Sequence, residues 1–280
     1  MANIKILKKK LKTTKSTLKI TSAMKLVSAA KMNKFQDKLH KAESYRQEIE
    51  ELVYKCTLAS ETLTHPILHK SSNVFKHMLV LSTDRGLCGS CNYHIAGFVK
   101  NFIKGQEDVI RISYWGSKAK ELLKYHNIGK HHHHKIDDSF DQFLNTITED
   151  FLLEFLNNEV GEVYVAYNAY KGSGSYKPVI KKVLPFEVDE NEKDQTSVFK
   201  YEPTQKKILD YILPEAFKSI MYSCFLNSEA TEHAARMVAM DSAAKNCKEA
   251  IRNLNLKINK RRQASITKEL IEIVSGAETL

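Results

Sequence analysis

Two cysteines three positions apart, Cys88 and Cys91, are the residues of this chain with the most evident chemistry. They follow an apolar, strand-like run and precede a helical pattern, which is the context of a thioredoxin-like redox pair. A disulfide framework is not indicated, because the chain holds five cysteines scattered over 280 residues, an odd number that fits reduced thiols. A redox role for the pair stays open as an alternative to a structural one.

A run of four histidines, His131 to His134, could bind a transition metal through imidazole. No acid or cysteine flanks the run at a metal-site spacing, so we expect an exposed polar loop. Two glycine-rich segments do not match a phosphate-binding loop. Gly86 to Gly89 lacks a third glycine, and Gly172 to Ser175 lacks the following Lys and Ser or Thr. The sequence therefore predicts no metal, no cofactor and no nucleotide site.

Positive charge is concentrated at the start of the chain. The net charge is +10, and residues 1–41 hold twelve lysines against one acid, Asp37. Nucleic acid, anionic lipid and an acidic protein face would each attract such a segment. A coil that binds nucleic acid would be basic on both arms, whereas the C-terminal arm also carries acids. These acids are Glu232, Asp241, Glu249, Glu269 and Glu272. We therefore expect a protein partner and no nucleic acid.

Glycine and proline divide the chain into three parts. Residues 1–65 and 215–275 contain neither, while nine of the ten glycines and all five prolines lie between Pro66 and Pro214. Both residues disfavour helix interiors, so the two ends are predicted to be long helices. The predicted domains are an N-terminal helix over 1–65, a central domain over 66–214 and a C-terminal helix over 215–280.

The spacing of apolar residues predicts how the two helices pack. Alternating steps of three and four residues from Ile4 to Cys56 meet apolar side chains at eleven of sixteen positions, and the same steps join Met237 to Ile258. This 3.5-residue spacing is typical of a left-handed coiled coil. Because the helices lie at opposite ends of one chain, we expect them to pair antiparallel.

The middle of the chain alternates short β-rich runs with helical patterns. This alternation predicts a Rossmann-like α/β domain with a mainly parallel sheet, and the acidic stretch 187–196 is expected to be a surface loop. The predicted strands are 77–83, 109–115, 160–167 and a weaker 179–184, and the predicted helices are 93–102, 118–125 and 139–156.

The coiled-coil seam changes character between Ile20 and Ala30. Thr21, Lys25 and Ser28 make it polar there, while apolar and small residues surround the helix, and residues 234–244 share this small, Met-rich character. A tight helix crossing would explain the pattern. The alternative is a shaft passing through a hole in another protein, because a helix that is apolar on all sides is buried on all sides. The apolar tail 264–280 should be enclosed as well.

Four blocks of sequence closely resemble the gamma subunit family of F-type ATP synthases. They are ITSAMKLVSAAKM at 20–32, DRGLCGS at 84–90, EHAARMVAMDSA at 232–243 and NKRRQASITKELIEIVSGA at 259–277. The resemblance implies a coiled coil that stands inside a ring of alternating alpha and beta subunits. It also implies an α/β domain that binds the epsilon subunit and a membrane-embedded c-type ring. Cys88 belongs to the second block, and Cys91 departs from what is usual there.

The resemblance further implies contact residues. Met24 and Lys25 match the shaft position that meets an acidic lever segment of beta, although Lys25 stands where the family varies. A second group matches positions that make polar contacts with the ring, where the planar fork of arginine can bond a carboxylate in two places. This group is Arg236, Arg262, Gln263, Thr267 and Glu269.

Function and location follow from the same resemblance. It implies a non-catalytic rotor that transmits ion-driven rotation to the beta subunits for ATP synthesis. No apolar stretch reaches the roughly 20 residues that a bilayer crossing needs, and the start lacks a secretory signal. We therefore expect a peripheral position at the cytoplasmic face of a bacterial membrane, with an organelle-encoded copy as the alternative. The coupling ion and any regulation are not encoded in these features.

Overall fold

The protein is described by a computed structural model that covers residues 2–58, 65–69, 73–105, 110–124, 132–134, 140–172, 174–186 and 201–278. The helices are α1 Ala2–Leu58, α2 Cys91–Lys104, α3 Ser117–Leu123, α4 Phe140–Leu156 and α5 Gln205–Glu278, with a short 3-10 helix at Pro66–Leu68. The strands are β1 Lys76–Leu81, β2 Ile110–Trp115, β3 His132–His134, β4 Glu162–Tyr170 and β5 Tyr176–Leu184. Within the described ranges, none of these helices is long and apolar enough to cross a membrane.

The chain divides into two compact units. The terminal unit contains Met1–Ala29 and Arg236–Leu280, and the central unit contains Ala30–Ala235. The three domains predicted from glycine and proline separate the terminal helices from the middle of the chain, whereas these two units are groups of residues in contact. The predicted boundaries at 65 and 214 stay predictions.

The predicted seam of α1 is confirmed. All sixteen positions that the three-and-four spacing selects from Ile4 to Cys56 are buried or partly buried. The seven positions from Met237 to Ile258 on α5 behave in the same way. The lysines between seam positions at the start of α1, from Lys8 to Lys19, are exposed. This segregation is what a coiled-coil seam requires.

Contacts inside the central unit show that the two helices run antiparallel. The ring of Phe35 stacks on the ring of His233 with centroids 5.5 Å apart. Leu39, nearer the end of α1, packs in a cluster with Leu226. Val53, nearer still, shares a cluster with residues of α5 around 213. As the residue number increases along α1, the number of the contacting residue on α5 decreases. The predicted antiparallel pairing is therefore confirmed.

Helix α5 begins ten residues before the predicted start at 215 and passes through Pro214. Proline lacks a backbone donor and normally breaks a helix interior. Here tertiary packing outweighs that cost, because Leu213 and Phe217, on either side of it, are fully buried. The segment just before α5 is also fastened to the end of α1. The Tyr201 hydroxyl donates to the carbonyl of Lys55 at 3.0 Å, one of the carbonyls that a helix end leaves without an internal partner.

The sheet has the order β3-β2-β1-β4-β5. Strands β1 to β4 are parallel, and β5 pairs antiparallel with β4. This is the strand order of Rossmann-like sheets, so the predicted α/β fold is confirmed. The residues of β1 alternate between two cores. Leu79 and Leu81 face a cluster that includes α1, α4 and α5, while Met78 and Val80 face one that includes α2 and α3.

The histidine run corrects one prediction. His132–His134 form an edge strand that pairs in parallel with Ser113–Trp115, whereas a loop was expected. An edge strand needs only one neighbour for its backbone hydrogen bonds, so a polar sequence with weak strand preference can occupy it. His131 and the predicted loop 187–196 lie outside the described residues.

Candidate protein-contact surfaces

The seam of the terminal unit is inverted between residues 20 and 29. Ser28 is 3% exposed and Thr21 is also buried, whereas Leu26 is 70% exposed and Val27 58%. The Thr21 hydroxyl donates to the carbonyls of Thr17 and Leu18, both at 3.1 Å, so its own helix satisfies its hydrogen bonding. On α1, polar groups therefore line the seam here and apolar groups face outward, while buried Met240 and Ala244 keep the seam of α5 apolar. The exposed residues Ile20, Leu26 and Val27 of α1 and Val238 of α5 are called the apolar collar below.

An ion cluster crosses the seam beside the collar. Lys25 Nζ lies 2.6 Å from Asp241 Oδ1, and Lys245 Nζ lies 2.9 Å from Asp241 Oδ2. Hydrogen bonds from Lys25 and then Lys245 lower the pKa of Asp241 to about 2. Met24, next to Lys25, is partly buried. Lys25 thus meets an acid of this chain, in addition to any acid that a partner offers.

The other predicted contact residues fall into two environments. Arg236, at the start of the α5 segment of the terminal unit, is only 7% exposed. Arg262, Gln263, Thr267 and Glu269 all lie exposed on the last turns of α5. Here the Thr267 hydroxyl donates to the Gln263 carbonyl at 3.0 Å, and the Ser265 hydroxyl donates to Glu269 Oε1 at 3.2 Å. The structure therefore brings these four residues together along one exposed helix segment and leaves Arg236 inside the fold.

The same segment carries exposed apolar side chains. Ile266, Leu270, Ile273 and Val274 are all exposed, and their spacing puts them on one face of α5. We call these four residues the tail stripe. A stripe of this kind on a surface helix is the signature of a face that packs against another protein.

Sequence reasoning missed a buried polar network in the sheet. His77 Nδ1 lies 2.6 Å from Glu154 Oε2, and His77 Nε2 lies 2.9 Å from Ser113 Oγ, distances found in hydrolase triads. Arg111 also donates to Glu154 at 2.9 Å. Polar residues within the apolar strand runs were the only signal, and contacts between residues so far apart in sequence cannot be derived from it.

Burial makes this network structural. Ser113 is 1% exposed and His77 2%, and the ring of Phe151 packs edge-on against His77 with centroids 4.5 Å apart. A substrate cannot reach the serine, so the network fastens β1, β2 and α4 together. Burial alone would raise the pKa of Glu154, but bonding and charge from His77 and Arg111 outweigh it and hold that pKa below its ordinary value.

The carboxyl ends of β1 and β4 mark the point where a Rossmann-like sheet ordinarily takes a ligand. In this chain the protein's own side chains fill that point. Asn168 Nδ2 donates to the Cys91 carbonyl at 3.2 Å, and Thr231 of α5 donates to the Asn168 carbonyl at 3.0 Å. Cys88 and Cys91 pack there against Ala235. The fold therefore uses this crevice to seat α5.

Comparisons with known proteins agree over the whole chain. A family model described as ATP synthase matches residues 3–280. The chain is similar to the ATP synthase gamma chain of Geobacter sp. (strain M21), with 34% identity over 285 residues that cover 100% of this chain and 99% of that protein. It is also similar to the ATP synthase gamma chain of Anaeromyxobacter sp. (strain Fw109-5), with 34% identity over 294 residues and complete coverage of both.

A solved structure shares the fold. A chain in a structure of the Euglena gracilis mitochondrial ATP synthase, covering OSCP, F1 and c-ring, matches with a TM-score of 0.67 at 18% identity. The match covers 99% of this chain and 94% of that one. The chain therefore has the fold of that structure, with long terminal helices and a central mixed sheet.

Proposed function

Because the chain belongs to the family of ATP synthase gamma chains, we propose that it is a rotor that carries rotation from a membrane ring to catalytic subunits. In this role it makes and breaks no covalent bond. An asymmetric shaft can act by favouring one conformation of each surrounding subunit in turn, since a ligand shifts an equilibrium by its differential affinity for the states.

The inverted seam is the observation that carries the proposal. A helix pair in water is expected to put its apolar groups between the helices. The α1 segment of the terminal unit instead buries Thr21 and Ser28 and exposes Leu26 and Val27. Outward apolar groups gain only if another protein covers them, so the collar supports enclosure by a surrounding sleeve. An apolar surface also suits rotation, because apolar contacts have no preferred direction.

The proposed partners divide between the two units. Alpha and beta subunits would surround the terminal unit, while the epsilon subunit and a c-type ring would bind the central unit. The curated relatives come from bacteria, which supports a peripheral position at the cytoplasmic face of a bacterial membrane.

Each predicted contact residue has a part in this proposal. Met24 and Lys25 would meet the acidic lever of beta, with that acid competing with Asp241 for the Lys25 ammonium. The exposed residues Arg262, Gln263, Thr267 and Glu269 would make the polar contacts that flank the tail stripe. Arg236 would act from inside the fold, by orienting the part of α5 that the sleeve touches.

The test is a deletion of residues 266–280, which removes the tail stripe and leaves the described seam intact. We expect the shortened chain to fold but to co-purify less with alpha and beta subunits, or to couple ATP hydrolysis to rotation less well. A matched control replaces only Lys268 and Glu272, an exposed ion pair at 3.5 Å, with alanine. Normal assembly, rotation and ATP synthesis by the deletion variant would remove the tail from the proposal.

A further inference from the structure

A groove on the central unit lies between α1, α4 and α5 and has no part in the proposed rotor mechanism. Its volume is about 270 Å³, close to the lower end of small-molecule sites at about 300 Å³. Its buried lining includes Ala42 of α1, Leu144 of α4 and Ser219 of α5. Tyr45 and Asn145, which also line it, are exposed. The groove is therefore open to solvent, and a small molecule has a path into it.

Two side chains of opposite charge line the groove. Glu215 and Lys218 are partly buried, and neither side chain makes a hydrogen bond or an ion pair within the described part of the chain. They stand three positions apart on α5, a spacing at which helical side chains can meet. At the same spacing in α3, Lys118 Nζ lies 2.8 Å from Glu121 Oε2. Because the burial of a charge has a cost that a partner offsets, each of the two groups favours a ligand of the opposite charge.

Aromatic and aliphatic side chains line the same groove as this charge pair. Tyr45 is 53% exposed, and Tyr222 is partly buried. Leu144 and Ala42 add apolar surface beside them. Aromatic rings bind other rings and apolar groups through stacked or edge contacts. An occupant that satisfies the whole lining therefore carries one cation, one anion and one apolar group in a small volume.

We propose that this groove binds a small zwitterion of the amino acid type with an aromatic side group. Glu215 binds its ammonium group, Lys218 binds its carboxylate, and the side group packs against the two tyrosines. The small volume favours such a molecule over a segment of another protein, because stable protein interfaces cover about 800 Å² on each partner. Since all three helices line the groove, the bound molecule stabilises the folded arrangement of α1, α4 and α5.

The test titrates the folded full-length chain with L-phenylalanine and follows binding by ligand-observed NMR. We expect a Kd of about 1 mM, which is ordinary for a ligand of about twelve non-hydrogen atoms. Phenethylamine lacks the carboxylate, and 3-phenylpropionate lacks the ammonium group. Each should bind about fivefold more weakly than phenylalanine, because one charge of the groove then has no partner.

Two variants separate the roles of the two charges. Glu215→Gln should weaken phenylalanine and phenethylamine by about fivefold without weakening 3-phenylpropionate. Lys218→Met should weaken phenylalanine and 3-phenylpropionate without weakening phenethylamine. Gln and Met are good helix formers, so both variants should fold. The matched control is Lys207→Met, at an exposed position of α5 outside the groove lining, which should bind all three probes as the wild type does.

Three results would overturn the proposal. The first is no binding of phenylalanine well above the expected Kd, or equal weakening of all three probes by either variant. The second is a dimer that phenylalanine dissociates, measured by sedimentation, since a second copy of the chain would then occupy the groove. The third is loss of phenylalanine binding when the chain is assembled with its partner subunits, since a protein would then cover the groove.

Discussion

The polarity of the seam of helix α1 differs between two regions of its length. In the central unit its seam is apolar, with Leu39, Ile49 and Val53 buried. Between residues 20 and 29 the spacing continues, but the seam is polar and Leu26 faces outward. The apolar seam of the central unit stabilises the fold without a partner. The polar seam between residues 20 and 29 leaves apolar surface that only a partner can cover. The inversion therefore separates residues that stabilise the chain from residues that act on another protein.

The largest loss of stability is expected where the seam meets the central core. Phe217→Ala removes a fully buried ring of α5. We expect it to lower the free energy of unfolding by about 3–5 kcal/mol, because the cavity cannot collapse around the helices. Denaturant unfolding followed by circular dichroism measures this change. The matched substitution Tyr211→Ala, at an exposed position of the same helix, should cost far less, and equal losses would contradict the comparison.

A smaller, pH-dependent loss is expected at the buried network of the sheet. Glu154→Gln should cost about 2 kcal/mol at neutral pH, since charged hydrogen bonds to His77 and Arg111 are lost. The folded state lowers the pKa of Glu154, so its stabilisation is present above its ordinary value of 4.5 and is lost as pH falls below it. Unfolding measured from pH 7 to pH 3 should therefore show a weaker acid dependence in the variant. The control is Glu159→Gln, an exposed position, and a wild-type pH profile in the Glu154 variant would contradict this account.

At the collar we expect a small effect on stability and a large effect on binding. Leu26→Gln replaces an exposed leucine with a good helix former, so we expect the free energy of unfolding to change by less than about 0.5 kcal/mol. Affinity for the alpha–beta ring should instead fall by about tenfold or more, because burial of a leucine is lost on binding. Thermal unfolding and co-purification measure the two effects. Lys19→Gln is the control, and a large loss of stability without loss of binding would place Leu26 in the fold rather than the interface.

The smallest effect is expected at the lysine-rich start. Exposed charges contribute little individually, so reversing Lys8, Lys9 and Lys10 to glutamate should leave the folded chain intact. We expect a modest, salt-dependent slowing of assembly with the ring, because charge steers encounter more than it fixes affinity. Assembly rates at low and high salt test this, and unchanged rates and coupling at low salt would remove steering from the account.

The sequence alone predicted the features that depend on local spacing. The seam from Ile4 to Cys56, the antiparallel helix pair and the four longer strands are all confirmed by the structure. Apolar periodicity reports directly which side of a helix or strand is covered. The inverted seam was also visible, since the spacing puts the polar residues Thr21 and Ser28 at seam positions.

Features that depend on tertiary contacts were not predictable. The strand at His132–His134 exists because β2 offers a free edge, and its composition gives no strand signal. The extension of α5 through Pro214 depends on the burial of its neighbours. The pairing of Lys25 with Asp241 depends on the register of two helices, which spacing alone leaves undetermined. Whether the seven predicted contact residues touch partners remains a prediction.

The most direct measurement compares the reactivity of a cysteine at position 26 in the free chain and in the complex with alpha and beta subunits. Leu26→Cys would be labelled with a small maleimide in a Cys247→Ser background, with Tyr211→Cys as the exposed control in the central unit. If the collar is enclosed, we expect rapid labelling of both positions in the free chain and strong protection of position 26 alone in the complex. Equal labelling of position 26 in both states would contradict the claim that the collar is enclosed.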